Sequence, residues 1–443
     1  MEKTGKAPPK SIVSRLGEIG SLTASIGMDL AGSKLGGFFD TQIGREKRSL
    51  DSLARNAAKL AGTLGNLKGA AMKVGQMLSL YDAFLPKELT EALQSLQSAA
   101  PPVAFGEMAG VLAEDIPAYR NWIGDISDEA LASASVGQVH RARLKDGREI
   151  VIKVQYPGIE RAMQSDLKSL RLLISLIATT LPFKADSKAL LDEVHTMILT
   201  ELDYQKEAKN QQAFGSFFQN QEQICIPAII PELCSPRVIA STYEPGHSLQ
   251  EMDSFTALEQ STMGIIIFEF LLDQIFFFQQ IHSDPNPGNF ALRPNGQLVV
   301  YDFGSVKKIP PLLVRGYRRL LQAALIDRDP KPIPSILKEM GIHKHDQSPI
   351  PVQVIQDWFT IYEQVFYQEY CFGSGNANRL IRQIRELGQR HFLESLDLVF
   401  PADLVFIDRT LGGTFGNLAK LETCAHFGNL IQERLALYSR SDI

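Results

Sequence analysis

The stretch His282-Ser-Asp284-Pro-Asn286-Pro-Gly-Asn289, followed by Tyr301-Asp302-Phe303-Gly304, concentrates hard oxygen donors in a short span. Asn289 lies five residues after Asp284, and Asp302 thirteen after Asn289. Mg²⁺ prefers such oxygens and keeps several waters, so one or two carboxylates and an amide oxygen suit it when phosphates complete the shell. Asp302 and Asn289 are the candidate metal ligands, and Asp284 the group that orients or deprotonates an attacking hydroxyl or water. Each of the three, taken singly, also fits a loop residue capping a helix. That plainer reading does not fit all three in this order behind the lysine described next.

Lys153 stands inside Ile150-Val151-Ile152-Lys153-Val154, an apolar strand where a buried ammonium needs a counter-charge. A lysine on the wet face of an edge strand is the alternative. Upstream, Ala132, Ala134, Gly137 and Val139, the last of them fourteen residues before Lys153, follow the spacing G-x-G-x-x-G-x-V, with alanine at the first two glycine positions. Alanine keeps the backbone N–H donors that cradle phosphate but restricts φ and ψ and adds a methyl. Ser133 and Ser135 add hydroxyls, and Val136 completes the loop. The order of lysine, Asp284, Asn289 and Asp302 is that of a protein-kinase site, in which the lysine binds phosphates and pairs with a helix glutamate. Glu193, Glu201 and Glu207 are the candidates for that partner. Asp203 and Glu207 are four apart and share one helix face, where a solvated acidic face or an ion-pair network fits equally; spacing does not choose among the glutamates.

Positioning these groups takes two kinds of element. Val136–Leu144 alternates, Asp146-Gly147 signals a hairpin turn, and Glu149–Gln155 reads as a strand ended by Pro157-Gly158. Helical patterns follow at Arg161–Thr179 and Lys188–Phe218, then short strands around Gln223–Ile230 and Arg237–Tyr243. Pro245-Gly246 marks a break, after which the chain reads as mostly helical apart from Gln297–Tyr301 and its flanks. Upstream, Leu60–Ser98 is helical and contains Lys73-Val-Gly75-Gln76; Lys73 and Gln76 share a face that by pattern alone reads as surface. Phe105–Leu112 reads as a short helix. The expected plan is a variable segment 1–59, a helical extension 60–105, a strand-rich lobe 106–245 with inserted helices, and a helical lobe 246–443.

The 443 residues carry a formal net charge of −5, which implies no general affinity for nucleic acid. Cys225, Cys234, Cys371 and Cys424 are widely scattered, and their spacing suggests neither a metal knuckle nor a disulfide framework, so a reduced compartment is expected. The N-terminal residues lack the compact apolar stretch of a signal peptide. Met263–Ile281 is apolar, but Glu269 and Asp273 within it argue for a buried soluble helix. Residues 1–60 hold ten basic and six acidic residues, a balance compatible with docking on the body or with a membrane surface.

Together these motifs resemble the UbiB/AarF-like atypical kinase family, which includes mitochondrial proteins supporting coenzyme Q synthesis. The resemblance rests on Lys73-x-Gly75-Gln76, the alanine-rich loop from Ala132 to His140, Lys153, Glu201-x-Asp203, His282-x-Asp284-Pro-x-Pro-Gly-Asn289 and Asp302-Phe-Gly304, and runs from about Leu60 to Leu421. Leu411-Gly-Gly413-Thr-Phe415 is similar to the mitochondrial-type members. The resemblance implies an α+β, bilobal protein-kinase-like fold with an N-terminal helical extension. It implies binding of ATP and Mg²⁺, with Lys153 and Glu207 paired at the catalytic centre, Glu244 at the lobe junction among the nucleotide contacts, and ATP turnover rather than ordinary protein phosphorylation. Lys73, Gly75, Gln76, Glu201 and Asp203 would regulate by closing the groove where a protein kinase receives its peptide. Expected partners are quinone-biosynthesis enzymes and lipid or quinone-precursor ligands, with the protein cytoplasmic or peripheral at an inner membrane if bacterial. An ATP-gated scaffold and a true protein kinase are the alternatives. No hydrophobic hairpin follows Leu421, and Ser133 interrupts the run of alanines.

Overall fold

Alternation of β-branched and polar residues around a glycine turn is enough to make a hairpin, and the chain forms one. The computed structural model describes residues 103–134, 136–164, 195, 199–251, 255–373, 375–391 and 397–441. The first strands in chain order are β1 (Ile123–Ser133), β2 (Gly137–Leu144), β3 (Glu149–Gln155), β4 (Ile224–Cys225) and β5 (Val238–Thr242). One sheet has the order β1-β2-β3-β5, and β2 is antiparallel to both β1 and β3. Ile150, Ile152 and Val154 are fully buried on one face of β3, while Val151 and Lys153 are half-buried on the other, as a period of two requires. The Asp146-Gly147 turn has Gly147 at φ 95°, a conformation glycine adopts without steric cost. Strand β1 was not legible as a strand. Its register shifts between Ile123 and Asp125, between Ile126 and Ala130, and between Ala130 and Ala132, and these irregularities erase the period-two signal. As a result Ala132 and Ser133 belong to a strand, paired with Val139 and Gln138, rather than to the turn.

The chain divides into two compact units. The first comprises the described residues up to Gln205 together with Pro231–Ala240; the second comprises Lys206–Ile230 and everything from Ser241 on. Within the first, helix α1 (Phe105–Asp115) buries Phe105, Met108, Val111 and Leu112, and packs on β1 and β3. Asp115 at its end accepts hydrogen bonds from Arg237 and from the Ser235 hydroxyl (2.7 Å); burial works against its ionisation, but these donors hold the carboxyl below its usual range.

Helix α2 (Tyr204–Phe218) belongs to the second unit from Lys206 on. The expected continuous helix over Lys188–Phe218 is interrupted: Leu202 and Asp203 are non-helical, so Asp203 and Glu207 do not share one helix face. Helix α3 (Ala257–Asp273) starts with a capping box in which the Glu259 N–H bonds the Thr256 side chain and the Thr256 N–H bonds the Glu259 carboxylate. It continues through a π-helical turn, Gln274–Phe278, and ends at Gln279 with φ 55°. Ala257–Phe278 is, among the described residues, the one helix long and apolar enough to cross a membrane, and 67% of its apolar window is buried in the protein. It stops short of Ile281 because Gln280–His282 is strand.

Further strands are β6 (His247–Ser248), β7 (Gln280–His282), β8 (Phe290–Leu292), β9 (Leu298–Val300) and β10 (Val306–Lys308), besides four two-residue strands that pair as His343–Lys344 with Leu398–Val399 and Tyr370–Cys371 with Cys424–Ala425. Strands β6, β8 and β9 join β4 in a sheet of order β4-β9-β8-β6, and β7 and β10 form an antiparallel pair. Helices α4 (Pro311–Leu321), α5 (Ile333–Glu339), α6 (Val352–Phe366), α7 (Asn376–Arg390), α8 (Ala402–Lys420) and α9 (Phe427–Ser441) complete the unit. Its core includes Phe268, Leu272, Leu313, Ile336, Ile407 and Phe427. A disulfide joins Cys371 to Cys424, contrary to the expectation from spacing. The two cysteines face each other across a two-residue antiparallel ladder, Tyr370–Cys371 against Cys424–Ala425, and a separation of 53 residues gives no local sign of it.

Candidate active site

In the first unit the hairpin brings the lysine under the small-residue loop. Val139 is paired opposite Lys153, and the Ala134 N–H donates to the Gly137 carbonyl (2.8 Å), closing the turn. A side chain at Gly137 would place its Cβ 2.2 Å from the Val154 carbonyl oxygen and 2.8 Å from the Tyr204 hydroxyl, so close strand packing alone requires glycine. Val136 is buried, and its carbonyl accepts the Tyr156 N–H (2.9 Å). Strand β3 is interior to the sheet, which removes the edge-strand reading of Lys153. The Lys153 ammonium lies 5.0 Å from the centre of the Tyr204 ring, a cation–π contact the sequence reading missed. The buried Gln155 amide donates to the Leu202 carbonyl (2.7 Å), fixing the helix break beside Glu201 and Asp203. His140, fully buried, donates from Nδ1 to Ser127 O (2.9 Å), which leaves Nε2 to accept from Gln138 (3.0 Å).

In the second unit the three predicted oxygen-bearing residues are tied to common elements. Asn289 donates from Nδ2 to both the Asp284 carboxylate and the Asp284 carbonyl, each at 3.1 Å. Both amide hydrogens are thereby directed at Asp284, and Oδ1 is left as an acceptor, the atom a hard cation takes. The Asn289 carbonyl accepts the Tyr301 N–H (2.9 Å), linking this loop to the residue before Asp302. His282 donates from Nε2 to Asp302 O (2.7 Å) and Tyr301 O (3.1 Å). Asp302 adopts φ 57°, and its Oδ1 accepts the Gly304 N–H (3.1 Å). Strain of this kind persists where the surroundings impose it. Here they do so through Phe303, fully buried with its ring 4.9 Å from Phe214 and 5.3 Å from His282.

Helix α2 presents Glu207 and Asn210 to the same segment. Glu207 is buried, and a Cβ built on Gly304 would sit 3.5 Å from its Oε2 and 3.2 Å from Asp302 Oδ1. Asn210 donates to the Phe303 carbonyl (2.9 Å). Glu244 carries an ion pair with Arg293, accepts the Thr242 hydroxyl (2.7 Å), and through its carbonyl accepts the Tyr301 hydroxyl (2.6 Å). Burial is the main cause that pushes the Tyr301 phenol up to about 12, so it stays a donor at neutral pH. Glu244 and Arg293 also line a cleft of about 280 Å³ with Cys225 and Gln297.

Helix α8 supplies Arg409 and Asn417, which no expectation named, beside Gly413 of the Leu411–Phe415 stretch. Arg409 lies 3.9 Å from Asp284 Oδ1, Asn417 donates to Pro285 O (3.0 Å), and a Cβ on Gly413 would fall 2.1 Å from Pro285 Cγ. These residues are spaced by four, one helix face laid on the Asp284 loop. Their spacing around Gly412-Gly413, unusual inside a helix, was the available signal. Ser135, Lys73, Gly75 and Gln76 lie outside the described residues.

Among the described residues there is no cluster of three His, Cys, Asp or Glu side chains fit to hold a metal alone. Asp302 and Asn289 still fit Mg²⁺, which needs only one or two protein oxygens when phosphates and water supply the rest.

The model of the ABC1 atypical kinase-like domain matches residues 95–337. Among curated relatives, the chain is 34% identical over 282 residues to the chloroplastic Protein ACTIVITY OF BC1 COMPLEX KINASE 8 of Arabidopsis thaliana, covering 61% of this chain and 36% of that protein. It is 29% identical over 326 residues to the mitochondrial atypical kinase COQ8 of Saccharomyces cerevisiae, covering 72% of this chain and 64% of the relative. The chain thus spans about a third to two thirds of the length of these two relatives. A Mycobacterium tuberculosis protein, Rv3197, solved in complex with erythromycin, superposes with a TM-score of 0.62 at 26% identity, over 86% of this chain and 96% of that one. The architecture mixes helices with antiparallel and parallel sheet. With more than half of its length matched by the domain model, the chain belongs to the ABC1/UbiB-like atypical kinase family, related to the mitochondrial COQ8 kinases.

Proposed function

We propose that the protein binds Mg-ATP and turns it over as an atypical kinase or ATPase in support of ubiquinone biosynthesis. The observation that carries this reading is the Asp284–Asn289 pair, connected through the Asn289 carbonyl and Tyr301 to Asp302. In this reading Lys153 holds the phosphates, with Glu207 as its counter-charge. Asn289 and Asp302 hold Mg²⁺, which neutralises charge on the transferred phosphoryl group when bound. Asp284 orients the attacking water or hydroxyl, and His282 keeps Asp302 in its left-handed conformation. The alanine-rich turn narrows the conformations of the loop over the nucleotide, Ser133, Ser135 and Val136 contribute loop contacts, and Glu244 contributes from the lobe junction. Lys73, Gly75, Gln76, Glu201 and Asp203 restrict access by a protein acceptor. Quinone-biosynthesis proteins and lipid or quinone-precursor molecules are the partners this reading assigns, at the periphery of a membrane.

The test is ATP consumption by the purified protein, with and without anionic liposomes and a quinone-like phenol. Hydrolysis in the wild type, lost in Asp302→Asn, is the expected result. Nucleotide binding without hydrolysis under any of these conditions would replace enzyme by nucleotide-gated scaffold. Labelled phosphate on a partner protein, lost in Asp284→Ala, would make it a protein kinase.

A further inference from the structure

We propose that Cys371–Cys424 is a reversible redox modification site, read by a dithiol reductant, that sets how firmly α8 holds the Asp284 loop. Both cysteines are half-buried, within reach of an attacking thiolate. The ladder they span is two residues long, too short to hold itself together without packing or a crosslink.

Hydrogen bonds joined by short steps along the chain lead from the neighbours of the disulfide to the loop. Phe372 N–H donates to Thr423 O (2.9 Å), on the residue next to Cys424. Thr423 is fully buried; its N–H donates to Leu418 O (3.0 Å), and the Leu421 N–H donates to Asn417 O (3.0 Å). Asn417 in turn donates to the Pro285 carbonyl beside Asp284. Glu422, between these segments, has φ 46°, a non-glycine residue in the left-handed region that its neighbours must impose. The crosslink closes a 53-residue separation and so removes freedom that the turn at Leu421–Thr423 would otherwise regain.

The chemistry is thiol–disulfide exchange. A thiolate of the reductant attacks one sulfur and forms a mixed disulfide, releasing the other cysteine. The reductant's second thiol then displaces the first cysteine. Cys371 and Cys424 gain two electrons and two protons, and the dithiol leaves as its own disulfide.

Thiol titration of the denatured protein, before and after treatment with dithiothreitol, reads the site directly. Cys225 and Cys234 stand outside the disulfide, so two thiols are expected before reduction and four after it. Hydrogen exchange then reads the loop: the Asn289 N–H, bonded to Asn286 O, is expected to exchange at least about tenfold faster in the reduced protein. ATP turnover, which rests on the function proposed above, is expected to fall about three- to tenfold on reduction with KM for ATP unchanged, since misplacing a reacting group costs rate rather than binding. Cys371→Ser/Cys424→Ser is expected to match the reduced wild type and ignore the dithiol. Four thiols in protein purified without reductant, or identical loop exchange in the two redox states, overturns the proposal. If exchange responds but no form hydrolyses ATP, the redox site stands and the ATP-turnover reading falls; the reduced wild type gives these readouts even where the double variant does not fold.

Discussion

Asn289 gives both of its amide hydrogens to Asp284, one to the carboxylate and one to the carbonyl, each at 3.1 Å. The carboxylate that would activate the attacking oxygen is thereby oriented by the residue that would hold the cation. Asn289→Asp replaces this donor with a second negative charge. Loss of ATP turnover by about a hundredfold or more is expected, because like charges at hydrogen-bonding distance repel and the orienting bond is gone. Single-turnover kinetics at saturating Mg²⁺ check this, and turnover within threefold of wild type would refute the assignment.

Gly412 and Gly413 are neighbours on α8 with opposite requirements. A Cβ at 413 meets Pro285 at 2.1 Å, whereas one at 412 meets nothing within 4 Å. Gly413→Ala is expected to destabilise by about 1–3 kcal/mol and to lower turnover, as overpacking displaces the Asp284 loop. Gly412→Ala is expected to raise stability by up to about 1 kcal/mol through helix propensity alone. Thermal unfolding of the two variants side by side distinguishes packing from a general intolerance of the segment.

Gly137 and Ala134 make a second contrasting pair. Gly137→Ala drives a methyl against the Val154 carbonyl in the middle of the sheet, and a loss of soluble folded protein or a fall in Tm of several degrees is expected. Ala134→Gly adds backbone freedom at the turn and is expected to change nucleotide affinity with the fold intact. Calorimetric titration of ADP or ATP into Ala134→Gly checks this, and unchanged affinity would leave the alanine without a tuning role.

Asp408 supplies a pH test. Burial pushes its carboxyl up to about 6, with Tyr317 and Tyr362 near enough for their own phenols to be raised in part by its charge. A folded-state value above the unfolded one means that the stability Asp408 contributes is present below about pH 4 and is lost as pH rises through 6. By surface area Asp408 is an exposed residue although protein packs densely around its carboxyl, so water screens much of the penalty and leaves mainly the direction of the effect. Asp408→Asn is expected to raise Tm at pH 8 by a few degrees at most and to leave it unchanged at pH 4. Melting curves across that range decide it; a constant difference at all pH values would remove the charge from the explanation.

Much of the site was legible because its chemistry is local. Asp284, Asn289 and Asp302 stand out by residue type and short spacing, and the period-two pattern of Glu149–Gln155 sets Lys153 on a strand, where the structure has it. What tertiary structure alone decided depends on contacts between distant segments, for which no local periodicity exists. The irregularities of β1 moved Ala132 and Ser133 from turn to strand. The break at Leu202–Asp203 is held by Gln155, 47 residues away in sequence. The grip of Arg409, Gly413 and Asn417 on the Asp284 loop, and the pairing of Cys371 with Cys424, come from packing a helix against a loop more than a hundred residues earlier and from closing a 53-residue separation. Side-chain type restricts which chemistry a residue can perform; where its partners lie is set by burial of surfaces the whole chain shares.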